Sequence, residues 1–174
     1  PTIISRCVCL NVSVCTENEA SASLSESGFG DEEIRSAVQC FHGNIGRCTD
    51  FITDENLRKQ VDLTKSLTDS IIRKDEYLLN VQLFSLGSSR NDVKCVLSML
   101  DLLIRDAAVL GKDSNAAAIG CYYEGAECLS HSITSHQAAR IHSHIERANR
   151  AIDSNVSIPL AMAALSAEII TVCS

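Results

Sequence analysis

From residue 31 onward the apolar positions recur every three or four residues, the spacing of one buried helix face. Asp31 caps a first such segment, with Ile34, Val38, Phe41, Ile45, Cys48 and Ile52 on the stripe. Thr53 or Asp54 starts a second, carrying Leu57, Val61, Leu67 and Ile71, and a shorter apolar piece, EYLLNVQLFSLG, ends at Gly87. Asn91 caps a strong helix through Val93, Val96, Leu97, Leu100, Leu103, Ile104 and Ala107, stopped at Gly111. Ser114 opens the next, Ser135 the one after, and Pro159 stands in the first turn of another, where its missing N–H is harmless. Alternating strand patterns are absent outside the first residues. The pattern predicts an all-α helical bundle of about five to seven helices, strapped by disulfides.

The start of the chain differs. Residues 5–15, SRCVCLNVSVC, crowd three cysteines into an irregular run, and residues 16–30, TENEASASLSESGFG, lack apolar periodicity and read as a polar loop. The division is therefore a Cys-rich head and linker over residues 1–30 and a helical bundle over 31–174. A start at Pro1 with no leader reads as a processed product or a trimmed piece. One internal likeness stands out. AVQCFHGNIGRCTDFIT (37–53) can be laid over AIGCYYEGAECLSHSIT (118–134), with one slip, and suggests two related helical hairpins, each followed by a third helix.

Composition sharpens this. The chain has 174 residues, 45% hydrophobic and 21% charged, which is globular, and only 4% aromatic with no Trp, which suits packed helices. A net charge of −7 argues against a nucleic-acid partner, since phosphate binding needs a basic face. The most apolar run, IPLAMAALSAEIITVC, is too short for a membrane span and carries Glu168; it reads as a buried or partner-facing helix.

Nine cysteines, Cys7, Cys9, Cys15, Cys40, Cys48, Cys95, Cys121, Cys128 and Cys173, together with glycosylation-type sequons at Asn11 and Asn155, point to a secreted, extracellular glycoprotein rather than to the cell interior. On continuous helices, Cys40 and Cys48 stand about 12 Å apart and Cys121 and Cys128 about 10 Å, too far to pair with each other. Each then reaches another element, and the head cysteines are the natural straps. An odd count leaves one thiol over, either a buried free cysteine or a link to another molecule, with Cys95, Cys173 and a head cysteine as candidates.

Other chemistry is sparse. Glu127, His131, His142 and Glu146 fall at four-residue spacings, so an antiparallel hairpin turning near Thr134 brings Glu127 level with His142. However, His142 and His144 stand near opposite edges of their helix, zinc spacings are missing, and ordinary polar flanks account for all of them, so no metal is assigned. No G-x-S-x-G elbow, phosphate loop or cofactor motif occurs, and no catalytic residue is assigned. The sequence thus suggests a non-enzymatic module for protein–protein association: a structural subunit of an extracellular fibre, coat or matrix, self-associating or joined to a partner by a disulfide. The alternative is an extracellular carrier holding a small hydrophobic ligand among its helices.

Overall fold

A computed structural model describes residues 15–174. These residues form nine helices and no strand: α1 (Glu17–Glu26), α2 (Asp31–Phe41), α3 (Ile45–Thr53), α4 (Glu55–Arg73), α5 (Glu76–Phe84), α6 (Arg90–Leu110), α7 (Tyr123–Ser132), α8 (Ser135–Asp153) and α9 (Ile158–Cys173). The all-α expectation stands, but the expected five to seven helices are too few, and two local misreadings account for the difference.

The first lies in residues 16–30, expected to be a loop. Thr16 caps a helix there: its hydroxyl accepts from Glu19 N while the Glu19 carboxylate accepts from Thr16 N at 2.8 Å. This reciprocal box satisfies two end donors, and Ala20 and Leu24 supply the buried face. The second is a break inside what reads as one long helix over 31–52. His42 ends α2 with a positive φ of 52°, and Asn44 caps α3 by accepting from Arg47 N. Gly43 makes the break possible: a Cβ there would lie 1.6 Å from the Cys15 carbonyl oxygen. Only a glycine lets the two backbones approach so closely.

Elsewhere the signals act as expected, within a residue or so. Asp54 caps α4 through Asn56 N, Ser89 rather than Asn91 caps α6, Thr134 caps α8, and Pro159 lies in the first turn of α9. The helix expected from Ser114 begins only at Tyr123; residues 111–122 form an irregular connection of turns and bends instead.

α6 is the axis of the bundle. At 21 residues it is the longest helix, and it packs on α4, α7 and α8. α8 packs in turn on α9, and α9 on α5, which closes against α4. The interior is aliphatic: Leu67, Leu79, Leu97, Leu100, Leu103, Leu129, Ile141 and Ile169 are all sealed from solvent. A second, smaller cluster lies among α1, α2 and α3, built from Ala20, Leu24, Ile34, Ala37, Val38, Cys48 and Ile52. Phe41 and Phe51 pack against both clusters and meet edge to face at 5.8 Å, with the Arg47 guanidinium 5.1 Å above the Phe41 ring.

Candidate functional site

The seam between the two clusters opens into a cleft of about 790 Å³. Glu17 and Asn18 of α1, Arg35, Gln39 and Cys40 of α2, Asp62 and Lys65 of α4, and residues 121–124 line it. Charges of both signs face each other here. The Lys65 ammonium stands 5.8 Å from the centre of the Tyr122 ring, and Tyr122 Oη donates to Asp69 at 3.4 Å. Burial, and then the Asp69 charge, pushes the Tyr122 phenol above its usual pKa. His42 Nδ1 faces Glu17 Oε1 at 3.2 Å, tying the end of α2 to α1.

One wall of the cleft is fixed by a residue to which the sequence pattern gave no role. Asp106, on the buried side of α6, is 1% exposed. Its Oδ2 accepts from Gly120 N at 2.6 Å and Ile119 N at 2.9 Å, and its Oδ1 pairs with Arg105 Nη1 at 2.6 Å. A buried carboxylate is tolerable only when its oxygens are so occupied. A Cβ on Gly120 would lie 2.6 Å from Leu103 Cδ2 and 2.9 Å from Asp106 Oδ2, so glycine is required for this approach. The legible signal was an acid set among Leu103, Ile104 and Ala107, positions otherwise apolar.

Three of the nine cysteines gather at this seam. Cys40 and Cys121 both line the large cleft and both line a smaller pocket of about 190 Å³ beside Met99 and Leu102. Cys48 is wholly buried in the small cluster, its Sγ donating to the carbonyls of Ala37 and His42 at 3.5 and 3.6 Å. Burial, with the neighbouring Cys40 next in importance, pushes Cys48 up to about 11 and Cys121 up to about 12. Cys40 itself is raised by burial, against the pull of Lys65. These groups are therefore neutral thiols at ordinary pH, the reverse of an activated cysteine nucleophile.

The break at residues 42–44 corrects the spacing expected for Cys40 and Cys48: they are on separate helices, and Cys48 senses the charge of Cys40. Cys121 and Cys128 likewise share no helix, since α7 begins after Cys121. No disulfide joins any two cysteines among the described residues, so the bundle is not strapped as expected. Apolar packing closes it instead, with Cys40, Cys121 and Cys173 serving as small buried side chains. Cys173, named as a candidate for linkage, is 2% exposed and cannot reach another molecule from that position. Cys95 is half-buried, and Cys15 and Cys128 are the exposed thiols. Cys7, Cys9 and Asn11 lie outside the described residues. Asn155 is exposed in the α8–α9 turn, with φ 63° and its Oδ1 accepting from Arg90 at 2.6 Å.

The expected hairpin that levels Glu127 with His142 does not form, because α7 packs on α6 and α4 rather than along α8. His142 Nδ1 is instead 2.7 Å from Asp101 on α6, and that hydrogen bond raises its pKa above the usual histidine value. His144 Nδ1 stands 2.8 Å from Glu168 of α9 at an angle too poor for a hydrogen bond, while Arg147 bonds the other Glu168 oxygen at 2.6 Å. Among the described residues, no three His, Cys, Asp or Glu side chains converge as a metal site would require, and no helix is long and apolar enough to cross a membrane.

Two surface features complete the inventory. On α5, Tyr77 is 80% exposed, Phe84 51% and Val81 47%, at the i, i+4, i+7 positions of one face; Leu160, on the α9 helix that packs against α5, is 65% exposed. Between α6 and α8 runs an apolar groove of about 400 Å³, floored by Leu102, Ile104, Ala108, Val109 and Ala138. No family model, no curated protein and no solved structure matches this chain.

Proposed function

We propose that the protein is a secreted, non-enzymatic helical module whose task is association, as a structural subunit of an extracellular assembly. The observation that carries this reading is the apolar face of α5. Three large side chains at helical spacing stand in water there, although the same helix buries Leu79 and Leu83 on its inner side. A helix apolar on both sides loses hydrophobic free energy unless its outer face finds a partner. The nine cysteines and the sequons favour an oxidising compartment, and the exposed Cys15 and Cys128 are the thiols placed to extend such contacts covalently.

The test is sedimentation of the intact chain with its cysteines blocked, over a wide concentration range, beside a Tyr77→Ser/Phe84→Ser variant. Association in the first and its loss in the second is the expected result; a monomer at every concentration, with no protein recovered on it from its native source, defeats the proposal. Native material run with and without reductant then reports covalent assembly separately.

A second reading, a carrier of small hydrophobic molecules, draws support from the α6–α8 groove, whose floor is aliphatic and whose rim carries Lys112 and His142. Solvent extraction of native protein followed by mass spectrometry should recover a stoichiometric lipid-like compound if this is correct, and nothing if it is not.

A further inference from the structure

We infer that Cys40 and Cys121, both free thiols in this structure, become on oxidation the two halves of an intrachain disulfide that stitches the α1–α3 unit to the main bundle. The secreted setting in which the bond would form rests on the reading above; the pairing itself rests on the fold.

Three observations converge on these two residues. First, both line the same two cavities from opposite sides of the seam, Cys40 from the end of α2 and Cys121 from the connection before α7. Each is 5% exposed and a free thiol in this structure, so both sulfurs are sheltered at the wall of a gap that still opens into the cleft. The charge of one is felt by the other, a second sign that they are neighbours.

Second, each backbone is held where it stands. Asp106 clamps the amides of Ile119 and Gly120, directly before Cys121. The end of α2 is fixed by His42, its imidazole against Glu17, and by the contact of Gly43 with Cys15. A disulfide tolerates little error in the placement of its α-carbons, so two anchored backbones favour a single partner choice.

Third, the nearest competitor is already engaged. Cys48 points its Sγ at the carbonyls of Ala37 and His42, inside the small cluster, and lines neither cavity. The internal likeness of the sequence aligns Cys40 with Cys121, so the bond joins equivalent positions of the two similar segments.

The oxidant is a small disulfide of the glutathione type. The Cys40 thiol, its pKa raised by burial with Lys65 only partly opposing, loses its proton to the mildly alkaline solvent and attacks one glutathione sulfur, releasing a first glutathione thiolate and leaving a mixed disulfide. The Cys121 thiol then loses its proton and attacks the Cys40 sulfur, which expels the second glutathione. The protein gives up two electrons and two protons, and the oxidised glutathione becomes two reduced thiols.

The experiment uses the full chain, reduced, freed of reductant and exposed to glutathione disulfide in mildly alkaline buffer. Remaining thiols are then alkylated and the digest is mapped. The expected product is a peptide joining Cys40 to Cys121, faster migration of the unreduced chain, and a thermal midpoint raised by roughly 5–10 °C over the reduced form. A variant with serine at every other cysteine should give the same bond. Cys40 found bonded to Cys48 or to a head cysteine, or both thiols recovered alkylated, overturns the inference. Mapping of native material separates the two levels. The Cys40–Cys121 bond obtained in the test tube, with free thiols in the native protein, sinks the secreted reading and leaves the pairing. Native protein oxidised through other pairs does the reverse.

Discussion

The α1–α3 unit and the main bundle are built from the same materials and differ in how they hold together. Three helices of 10, 11 and 9 residues share a small core of Ala, Ile, Leu, Val and one cysteine. A unit of that size buries too little apolar surface to stand alone. The main bundle instead wraps α4, α7 and α8 around α6 and seals a long file of leucines and isoleucines. The smaller unit therefore borrows stability across the seam through Phe41, Phe51 and Cys40, which face both ways or across. Its opening should precede global unfolding.

The sharpest way to break this contrast is Leu100→Ala. Leu100 is wholly enclosed on α6, and the cavity should cost roughly 2–5 kcal/mol, read as a lower denaturant midpoint for the whole chain. Asp106→Ala comes next, leaving the amides of Ile119 and Gly120 without their acceptor. We expect a loss of about 1–3 kcal/mol, with hydrogen exchange fastest over residues 111–122. Leu24→Ala should act differently. The global transition should move by only about 1–2 kcal/mol, while amides of α1 and α2 lose protection well before those of α6. Equal loss of protection in both units would show that the seam does not divide the molecule.

The smallest effect concerns His142, which ties α8 to α6. Its folded pKa is raised by the Asp101 hydrogen bond, so its contribution is complete below the unfolded value near pH ~6.5 and vanishes as pH rises through the folded one. Because the ring is half exposed, solvent screening keeps this under about 1 kcal/mol. The comparison to make is the thermal midpoint in mild acid against mild alkali, for the parent and His142→Gln. The acid-side advantage should shrink in the variant.

Helix periodicity carried the main bundle in the sequence because α4, α6 and α8 each bury one continuous stripe. It failed where a local device overrides the pattern. Ile34, Val38, Ile45 and Ile52 keep a helical spacing across a turn that only the Gly43–Cys15 contact explains, and that contact joins residues distant in the chain. The α1 helix was missed because its buried face is just Ala20 and Leu24, too little for a periodic signal, although the Thr16–Glu19 box was there to be read. The site was less legible than the fold. Cysteine spacing along ideal helices put Cys40 out of reach of Cys48 and assigned Cys121 to the wrong element, since α7 starts later than the pattern implies. The spread of Asp106 across to residues 119 and 120 is a tertiary fact with one faint trace, an acid among leucines.

The packing of α5 on α9 bears on the order in which this molecule is made. A ribosome releases α5 long before α9, so the side of α5 that α9 covers, unlike the side held by α4, stays open while some seventy residues of intervening chain are still being polymerised. Nascent chains stalled before Ile158 should bind holdase chaperones, and release should follow emergence of the α9 segment.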